Sequence, residues 1–338
     1  MKKKNVILYT CLILLILLLS FLSLRIGSTQ ISANEIWETI LHWDTDSVNG
    51  TILLNIRFPR MLAAAFLGGA LALSGYLLQA FFHNPIAGPF VLGISSGAKL
   101  IVAILMVASA SAGFGISSMM MVGAAVIGSL IATVFVILAA GKVRSMSILI
   151  VCGVMIGYIS SAITELLVAF ADDSNIVNLH NWSQGSFSGT SWQNVWIFVP
   201  VILLGTAAAI LMAKGVEAYL YGERYAVSVG VNVRRFRILL ILISSILSAA
   251  VTAFAGPVSF VGIAVPHVVR KIFKSEKPRT VMVGSFLGGA AFSLFSDLIA
   301  RSLFAPTELS ISTITAVFGA PIVISMLLGK KNKKESGR

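Results

Sequence analysis

One apolar stretch, broken by prolines and glycines, constrains this chain more than any other feature. Residues 256–270 read GPVSFVGIAVPHVVR, so two prolines and two glycines interrupt a segment that is otherwise apolar enough for a membrane. Proline removes a backbone donor and disrupts the helical turn before it, and unpaired backbone groups are costly in hydrocarbon. Irregular backbone at that depth persists only where protein buries it or where it lines a watery path. The stretch therefore indicates a transport route.

The composition is that of an all-α polytopic membrane protein. Of the 338 residues, 57% are apolar and 11% are charged, whereas a soluble domain carries roughly 25% charged residues. A membrane span needs about 20 apolar residues. We expect a single transmembrane domain over residues 1–338, in which the first apolar run is an uncleaved span. The candidate spans are 5–24, 61–82, 91–110, 118–140, 148–170, 192–213, 236–254, 258–271, 281–300 and 312–329.

The positions of the basic residues decide the number of spans. Hydropathy alone allows nine or ten, because the eighth segment is short and broken. The net charge of +12 comes mainly from Lys2–Lys4, Lys142 with Arg144, Lys214–Arg237, Arg270–Arg279 and Lys330–Arg338. Basic clusters beside spans mark the cytoplasmic face, and ten spans with both termini inside place every cluster there. We therefore predict ten spans. Nucleic-acid binding is disfavoured because no soluble basic domain could carry it.

Short internal similarities suggest how the spans are arranged. Residues 87–94 (AGPFVLGI) and 255–263 (AGPVSFVGI) both begin with AGP and end with GI, with a one-residue gap between them, and the topology places the two segments on opposite faces, as an inverted repeat requires. Glycines suited to close helix contact lie at Gly153 with Gly157, at Gly284 with Gly288, and at Gly68 with Gly69.

A hydrolase is an alternative that two short motifs raise. Residues 93–97 fit G-x-S-x-G, with Ser95 at the nucleophile position, and residues 96–99 fit S-x-x-K. The nucleophile elbow needs a strand–turn–helix on a sheet, which an apolar helical run does not supply, so this alternative is disfavoured. His267 could be a ligand or proton relay, but a structural role beside the helix break is favoured. No second histidine, cysteine or carboxylate lies near it at metal spacing, and we predict no metal site.

An ion-coupled secondary carrier is the second alternative. Glu165 and Asp297 are ionisable groups in predicted spans, and such groups are functional candidates. Both lie close to the predicted outer surface, where snorkelling or pairing with Arg301 accounts for them. A proton-coupled carrier would need a deeper carboxylate. No G-x-x-x-x-G-K-[ST] motif is present, so any ATP must be hydrolysed by another chain.

Four motifs, in order along the whole chain, resemble those of one family. The segments NPIAGP (84–89) and LGISSGA (92–98) resemble the second-to-third-span signature of the FecCD-type ABC permeases, which import iron-siderophores, vitamin B12 or haem. The segment RFPR (57–60) is similar to their Arg-x-Pro-Arg motif, and GIAVPHVVR (262–270) to their eighth-span signature. PTEL (306–309) with TAVFGAP (315–321) resembles the C-terminal one. Gly88 departs from the pattern, since an acidic or polar residue is usual there.

The resemblance implies a type II ABC importer permease with ten spans. Its partners would be a second permease subunit, identical or different, two cytoplasmic ATP-binding subunits that hold ATP and Mg²⁺, and an extracytoplasmic binding protein. The chain itself would bind no cofactor and would lie in the cytoplasmic membrane of a bacterium. An iron(III)-siderophore complex is the cargo expected first, with haem or cobalamin as the alternative.

The resemblance also assigns roles to individual residues. Asn84 and Ile86 would form part of the inner gate, and Met146 and Ser147 the other pore constriction. Arg57, Arg60 and Arg301 would engage acidic residues of the binding protein. The chain's own topology also places these arginines near the outside, although pairing within the chain, such as Arg301 with Asp297, is a competing explanation.

The cytoplasmic loop 213–237 is the predicted contact with the ATPase. It carries apolar residues within a charged segment, which suits a short helix docked on a partner, although a loop lying on lipid headgroups would look similar. The residues expected to couple the two subunits are Glu217, Gly222, Glu223 and Gly230.

Overall fold

The computed structural model describes residues 2–27, 29, 31–42, 47–112, 115–143 and 146–335, so Arg144 and Arg338 of the predicted basic clusters lie outside the described residues. All regular structure in these residues is helical. The helices are α1 (Lys2–Arg25), α2 (Ala33–His42), α3 (Val48–Thr51), α4 (Phe58–Phe82), α5 (Ile94–Ala112), α6 (Ser118–Lys142), α7 (Met146–Val168), α8 (Asp173–Ser183), α9 (Trp192–Leu211), α10 (Ala213–Leu220), α11 (Glu223–Ser228), α12 (Val233–Ala255), α13 (Val261–Phe273), α14 (Pro278–Ser302) and α15 (Ile311–Glu335). A π-helical turn, Ile52–Arg57, leads into α4, and a 3₁₀ turn, Pro89–Leu92, precedes α5.

Helix α4 lies at the centre of the bundle. It is buried along most of its length and packs against α14, α12, α13 and α9. Its sequence explains this position, because small residues alternate with leucines and the only charged residue, Arg60, stands in the first turn. A second, smaller core joins α5, α6 and α8 through Ala98, Val102, Ala125 and Leu179. A helix that is apolar on all sides belongs inside a membrane bundle, and α4 fills that place.

Glycines let the central helices approach closely. A Cβ atom built on Gly68 of α4 would lie 2.7 Å from the carbonyl oxygen of Gly289 on α14, and one built on Gly75 would lie 1.9 Å from that of Gly262 on α13. The predicted close contacts of Gly68, Gly284 and Gly288 are confirmed, since the last two pack against valines of α13. Van der Waals contact and short interhelical distances replace the hydrophobic driving force that is missing between helices in lipid.

The ten predicted spans each coincide with a helix, but these helices differ in length and hydropathy. Among the described residues, seven helices are long and apolar enough to cross a membrane: α1, α4 with its preceding turns, α6, α7, α9, α12 and α14. Two more are shorter apolar helices, which extend over Ile94–Ser109 and Ile311–Met326. The eighth predicted span is α13, which has only 13 residues. A total of ten crossings therefore stays a prediction.

The two segments that were matched as an internal repeat were expected on opposite faces, but residues 88–89 and 262–263 lie against each other. A Cβ atom on Gly88 would lie 3.0 Å from Ile263 Cγ1, and one on Gly262 would lie 3.2 Å from Pro89 Cδ. Gln79 of α4 donates its side-chain amide to the carbonyl oxygens of Gly262 and Ile263, at 3.2 and 3.3 Å. Gly88, Pro89 and Gly262 are thus buried where the two segments meet, as backbone without helical hydrogen bonds requires in a membrane.

Candidate gate and coupling segment

The predicted inner gate lies in the loop that connects α4 to α5, residues 83–93, which we call the gate loop. Helix α4 stops at His83, whose φ of 49° is left-handed, and Pro85 two residues later cannot extend the helix. The Asn84 side-chain oxygen accepts a hydrogen bond from the Ile86 amide at 3.0 Å, which fixes a tight turn. Asn84 is half-buried, and the Ile86 side chain is 40% exposed at the tip of the turn.

A cavity of about 440 Å³ lies beside Asn84. Its walls come from α4, the gate loop, α10 and α13, and its polar lining includes Gln79, His83, His267 and Arg270. The Arg270 guanidinium lies 5.3 Å from the centre of the Tyr76 ring, so the cationic side of the cavity is packed on an aromatic face. The broken helix α13 and the gate loop therefore share one polar chamber at this end of the bundle.

The second predicted constriction begins α7. Met146 is half-buried and packs against the main core, and Ser147 is exposed. Helix α7 runs beside the 3₁₀ turn of the gate loop, and a Cβ atom on Gly93 would lie 3.0 Å from the Gly153 carbonyl oxygen. The structure thus brings α7 and the gate loop together, two helical turns beyond Met146. The pore roles of Asn84, Ile86, Met146 and Ser147 stay predictions.

The predicted ATPase contact forms two short helices, α10 and α11, which we call the coupling segment (residues 213–230). Gly222 and Gly230 bound α11 with φ values of 115° and 88°, a backbone region that L side chains rarely adopt, so glycine is required at both turns. Glu217 is exposed and lines a groove with Tyr221 and Tyr225. Glu223 forms an ion pair with Arg237 at the start of α12.

The coupling segment presents an apolar and aromatic surface. Tyr221 is 74% exposed, and Tyr225, Val227 and Val229 are between 49% and 62% exposed. The rings of Tyr221 and Tyr225 pack edge to face with their centroids 5.5 Å apart. Aromatic residues with a polar tip are typical of binding surfaces, so this face suits a protein partner.

Tyr219 joins the coupling segment to the gate loop, a link that the sequence reasoning missed. Its side chain is fully buried, and its ring lies 4.9 Å from the His83 ring and 5.4 Å from that of Phe236. The Tyr219 carbonyl oxygen lies 3.2 Å from His83 Nε2, and its hydroxyl donates to the Phe81 carbonyl oxygen at 3.4 Å. The available signal was an aromatic residue within a charged loop, but the contact of Tyr219 with His83, 136 residues away, could not be predicted from the sequence.

The three arginines predicted to dock the binding protein are engaged inside the chain. Arg60 contacts Asp297 at 2.9 Å and Glu308 at 2.7 Å, and Arg301 lies 3.7 Å from Asp297. Arg57 donates to the carbonyl oxygens of Leu24, Arg25 and Thr29, and Arg301 donates to that of Ser23 at 2.7 Å. None of the three is more than 7% exposed. The competing expectation of an Arg301–Asp297 pair agrees with this geometry, and the docking role stays a prediction.

The hydrolase motif has no catalytic surroundings here. Ser95 lies in the first turn of α5, is buried, and shares a 3.3 Å hydrogen bond with the Thr252 hydroxyl. A threonine hydroxyl cannot act as the general base that a serine nucleophile needs. Within the described part of the chain, no group of three or more histidines, cysteines or carboxylates could hold a metal ion.

Comparison with known proteins agrees with this architecture. The chain matches the FecCD transport family over residues 14–329. It is 32% identical to the hemin transport system permease protein of Yersinia pestis over 96% of each chain. A vitamin B12 import system permease protein of Vibrio parahaemolyticus is 36% identical over 82% of each chain. An Fe(3+)-citrate import system permease protein of Bacillus subtilis is 31% identical over 93% of this chain and 92% of its own length.

Solved structures give the same fold. A transporter assigned to the metal-chelate ABC type, in an inward-facing conformation, superposes with a TM-score of 0.83 at 28% identity, covering 95% of this chain and 98% of that one. PsaBC from Streptococcus pneumoniae, in complex with Fab, shares the fold alone, with a TM-score of 0.51 at 14% identity. The helical bundle is thus that of a multi-pass ABC transporter permease. The chain belongs to the FecCD transport family, as its motifs predicted.

Proposed function

We propose that this permease works in an ATP-driven importer that carries an iron(III)-siderophore complex from an extracytoplasmic binding protein to the cytoplasm. Relatives named for hemin, vitamin B12 and Fe(3+)-citrate support large chelates as the cargo class. Haem or cobalamin is the alternative cargo. The assembly contains a second permease subunit, two ATP-binding subunits and the binding protein. It lies in the cytoplasmic membrane of a bacterium, with ten crossings and both termini of this chain inside.

The contact between Tyr219 and His83 carries the mechanistic part of the proposal. An ATP-binding subunit docks on the exposed face of the coupling segment, around Glu217 and Tyr221. Displacement of α10 moves Tyr219, and Tyr219 contacts His83 directly before Asn84 and Ile86. The Glu223–Arg237 ion pair also links the coupling segment to α12. Displacement of the coupling segment therefore acts on the end of α4 and on α12 together. Nucleotide-driven motion thereby reaches the gate loop through packed side chains.

His83→Asn tests this link. Asparagine tolerates the left-handed backbone of residue 83, but its shorter side chain does not reach the Tyr219 carbonyl oxygen. A lost hydrogen bond of about 1 kcal/mol corresponds to about a fivefold loss of coupling. In proteoliposomes, we expect ATP hydrolysis to continue while the substrate transported per ATP falls about fivefold.

His180→Asn on α8 is the matched control for this substitution. His180 contacts Gln184 one turn away and lies far from the gate loop in sequence. The variant should transport normally. An unchanged ratio of transport to hydrolysis in His83→Asn would contradict the proposed route.

Cargo and energy source are tested separately. Uptake of a ferric siderophore, hemin and cyanocobalamin is compared in proteoliposomes that contain the complete transporter and its binding protein. We expect the ferric siderophore to be taken up fastest and the other two to compete weakly. Uptake must require ATP and persist without an ion gradient, whereas an ion-coupled carrier would show the opposite dependence.

A further inference from the structure

A second polar cavity, of about 930 Å³, opens where α6 ends and α12 begins. Three cationic side chains, Lys142, Arg234 and Arg237, line it together with one carboxylate, Glu223. Glu223 is paired with Arg237. Lys142 and Arg234 are exposed and have no ion-pair partner among the described residues, so the cavity carries two uncompensated positive charges.

The same cavity has an apolar wall that continues along the two spans. Leu138 of α6 is 59% exposed and Ile238 of α12 is 38% exposed, and both belong to the lining. Lys142 follows Leu138 by four residues, and Arg234 precedes Ile238 by four. Residues four apart lie on one helix face, so each cation stands one turn from an exposed apolar side chain. On both α6 and α12, the cavity lining therefore changes from a cationic to an apolar side chain within one helical turn.

We infer that this cavity binds an anionic phospholipid of the cytoplasmic leaflet. Its phosphate lies between Lys142 and Arg234, and an acyl chain follows Leu138 and Ile238 into the hydrocarbon. Basic pockets between membrane helices on the cytoplasmic side suit such headgroups, and each nearby cation contributes about 1 kcal/mol. A soluble ATP-binding subunit could reach the cations but not an apolar wall at membrane depth. The inference rests on the proposed orientation, which puts this end of α6 and α12 on the cytoplasmic side, and is independent of the proposed cargo.

The proposed lipid site borders the coupling segment. Arg237 borders the cavity and holds Glu223, the first residue of α11 in the coupling segment. An anionic headgroup in the cavity lies next to the ion pair that fastens this segment to α12.

The charge requirement is tested by native mass spectrometry of the purified transporter with equal amounts of phosphatidylglycerol and phosphatidylethanolamine of the same acyl chains. Lys142→Gln with Arg234→Gln removes both free cations and leaves the Arg237–Glu223 pair intact. We expect phosphatidylglycerol binding about 30-fold weaker, the equivalent of ~2 kcal/mol at 1.4 kcal/mol per tenfold. Arg224→Gln with Arg235→Gln removes the same charge from exposed positions outside the cavity and should bind as wild type does.

The space requirement is tested with the charges unchanged. Gly141 lines the cavity, and a Cβ atom built on it meets no atom within 4 Å, so Gly141→Phe adds a bulky ring at the cavity wall from a position with open space. Gly123 on the same helix is equally open and lies outside the cavity lining, which makes Gly123→Phe the matched control. We expect loss of bound phosphatidylglycerol in the first variant and none in the second.

Three results would overturn the inference. In the first, the wild-type transporter retains both lipids equally. In the second, neither the double substitution nor Gly141→Phe changes retention of phosphatidylglycerol relative to its control. In the third, lipid retention is unchanged while the ATP-binding subunit dissociates from the Lys142 and Arg234 variant, which would assign the cavity to that subunit instead.

Discussion

Replacing Asp297 with asparagine tests whether the buried arginines serve the fold or a partner. Asp297 lies between Arg60 and Arg301, and its side chain is 1% exposed. Asparagine has the same shape but no charge, so two guanidinium groups lose their shared carboxylate. Glu308 still contacts Arg60, but three arginines then face one carboxylate in this cluster. The internal-pair explanation therefore predicts a large loss of stability.

The size of that loss follows from burial. Removing one partner of a buried ion pair costs about 3–5 kcal/mol, because the remaining charge stays desolvated. Glu308 is 42% exposed, and loss of an exposed pair costs about 1 kcal/mol or less. At roughly 2 °C per kcal/mol for a large domain, Asp297→Asn should lower the Tm by about 6–10 °C and Glu308→Gln by about 2 °C.

The assay is thermal unfolding of the purified transporter, combined with a double-mutant cycle. Arg60→Gln, Asp297→Asn and the double variant are compared, and the double variant should lose less than the sum of the two. Equal Tm values for Asp297→Asn and wild type would refute the reasoning. So would strict additivity. If stability is unchanged while affinity for the binding protein falls, the docking role of the arginines is correct instead.

Two further predictions concern helix contacts and pH. Gly75→Ala should prevent tight packing of α4 on α13, because the added Cβ would lie 1.9 Å from the Gly262 carbonyl oxygen; Gly123→Ala, in open space, should leave the Tm unchanged. Hydrogen bonds from the Ser32 backbone amide and hydroxyl lower the pKa of Glu35 at the start of α2. Their contribution to helix stability is present above the ordinary carboxyl pKa and is lost as the pH falls through the lowered pKa. The protection factors of the Glu35 and Ile36 amides, which are corrected for the intrinsic pH dependence of exchange, should therefore fall only in acid, and Glu35→Gln should abolish that fall.

The sequence predicted the positions of the long apolar helices well because hydropathy depends only on the local composition of a segment. All ten candidate segments coincide with helices, and the break at Pro257 marks a real gap between α12 and α13. Helices α2 and α8 were not predicted, since they lie in segments that hydropathy treats as loops. The family motifs pointed to the gate loop, and apolar residues within a charged loop pointed to the coupling segment. The required glycines at 222 and 230 lie where α11 begins and ends.

Contacts between distant residues could not be predicted from one sequence. Arg57 and Arg60 were exceptions to the cytoplasmic location of the basic residues, and a partner protein was invoked to explain them. Arg60 instead forms a hydrogen bond with Asp297, 237 residues later, and the local sequence does not show this contact. The contact between Tyr219 and His83 could not be predicted for the same reason. Patterns with a period of a few residues are readable, whereas partner choice across a bundle depends on how every intervening helix packs.

The cluster around Arg60 also fixes the order in which this protein can be completed during synthesis. Arg60 leaves the ribosome 237 residues before Asp297 and 248 before Glu308. At about 5–20 residues per second, that interval is roughly 10–50 s. Arg60 therefore lacks both of its carboxylate partners until α14 and the segment after it have been synthesised. A nascent chain that stalls before residue 297 cannot form the ion pairs that join this end of α4 to α14.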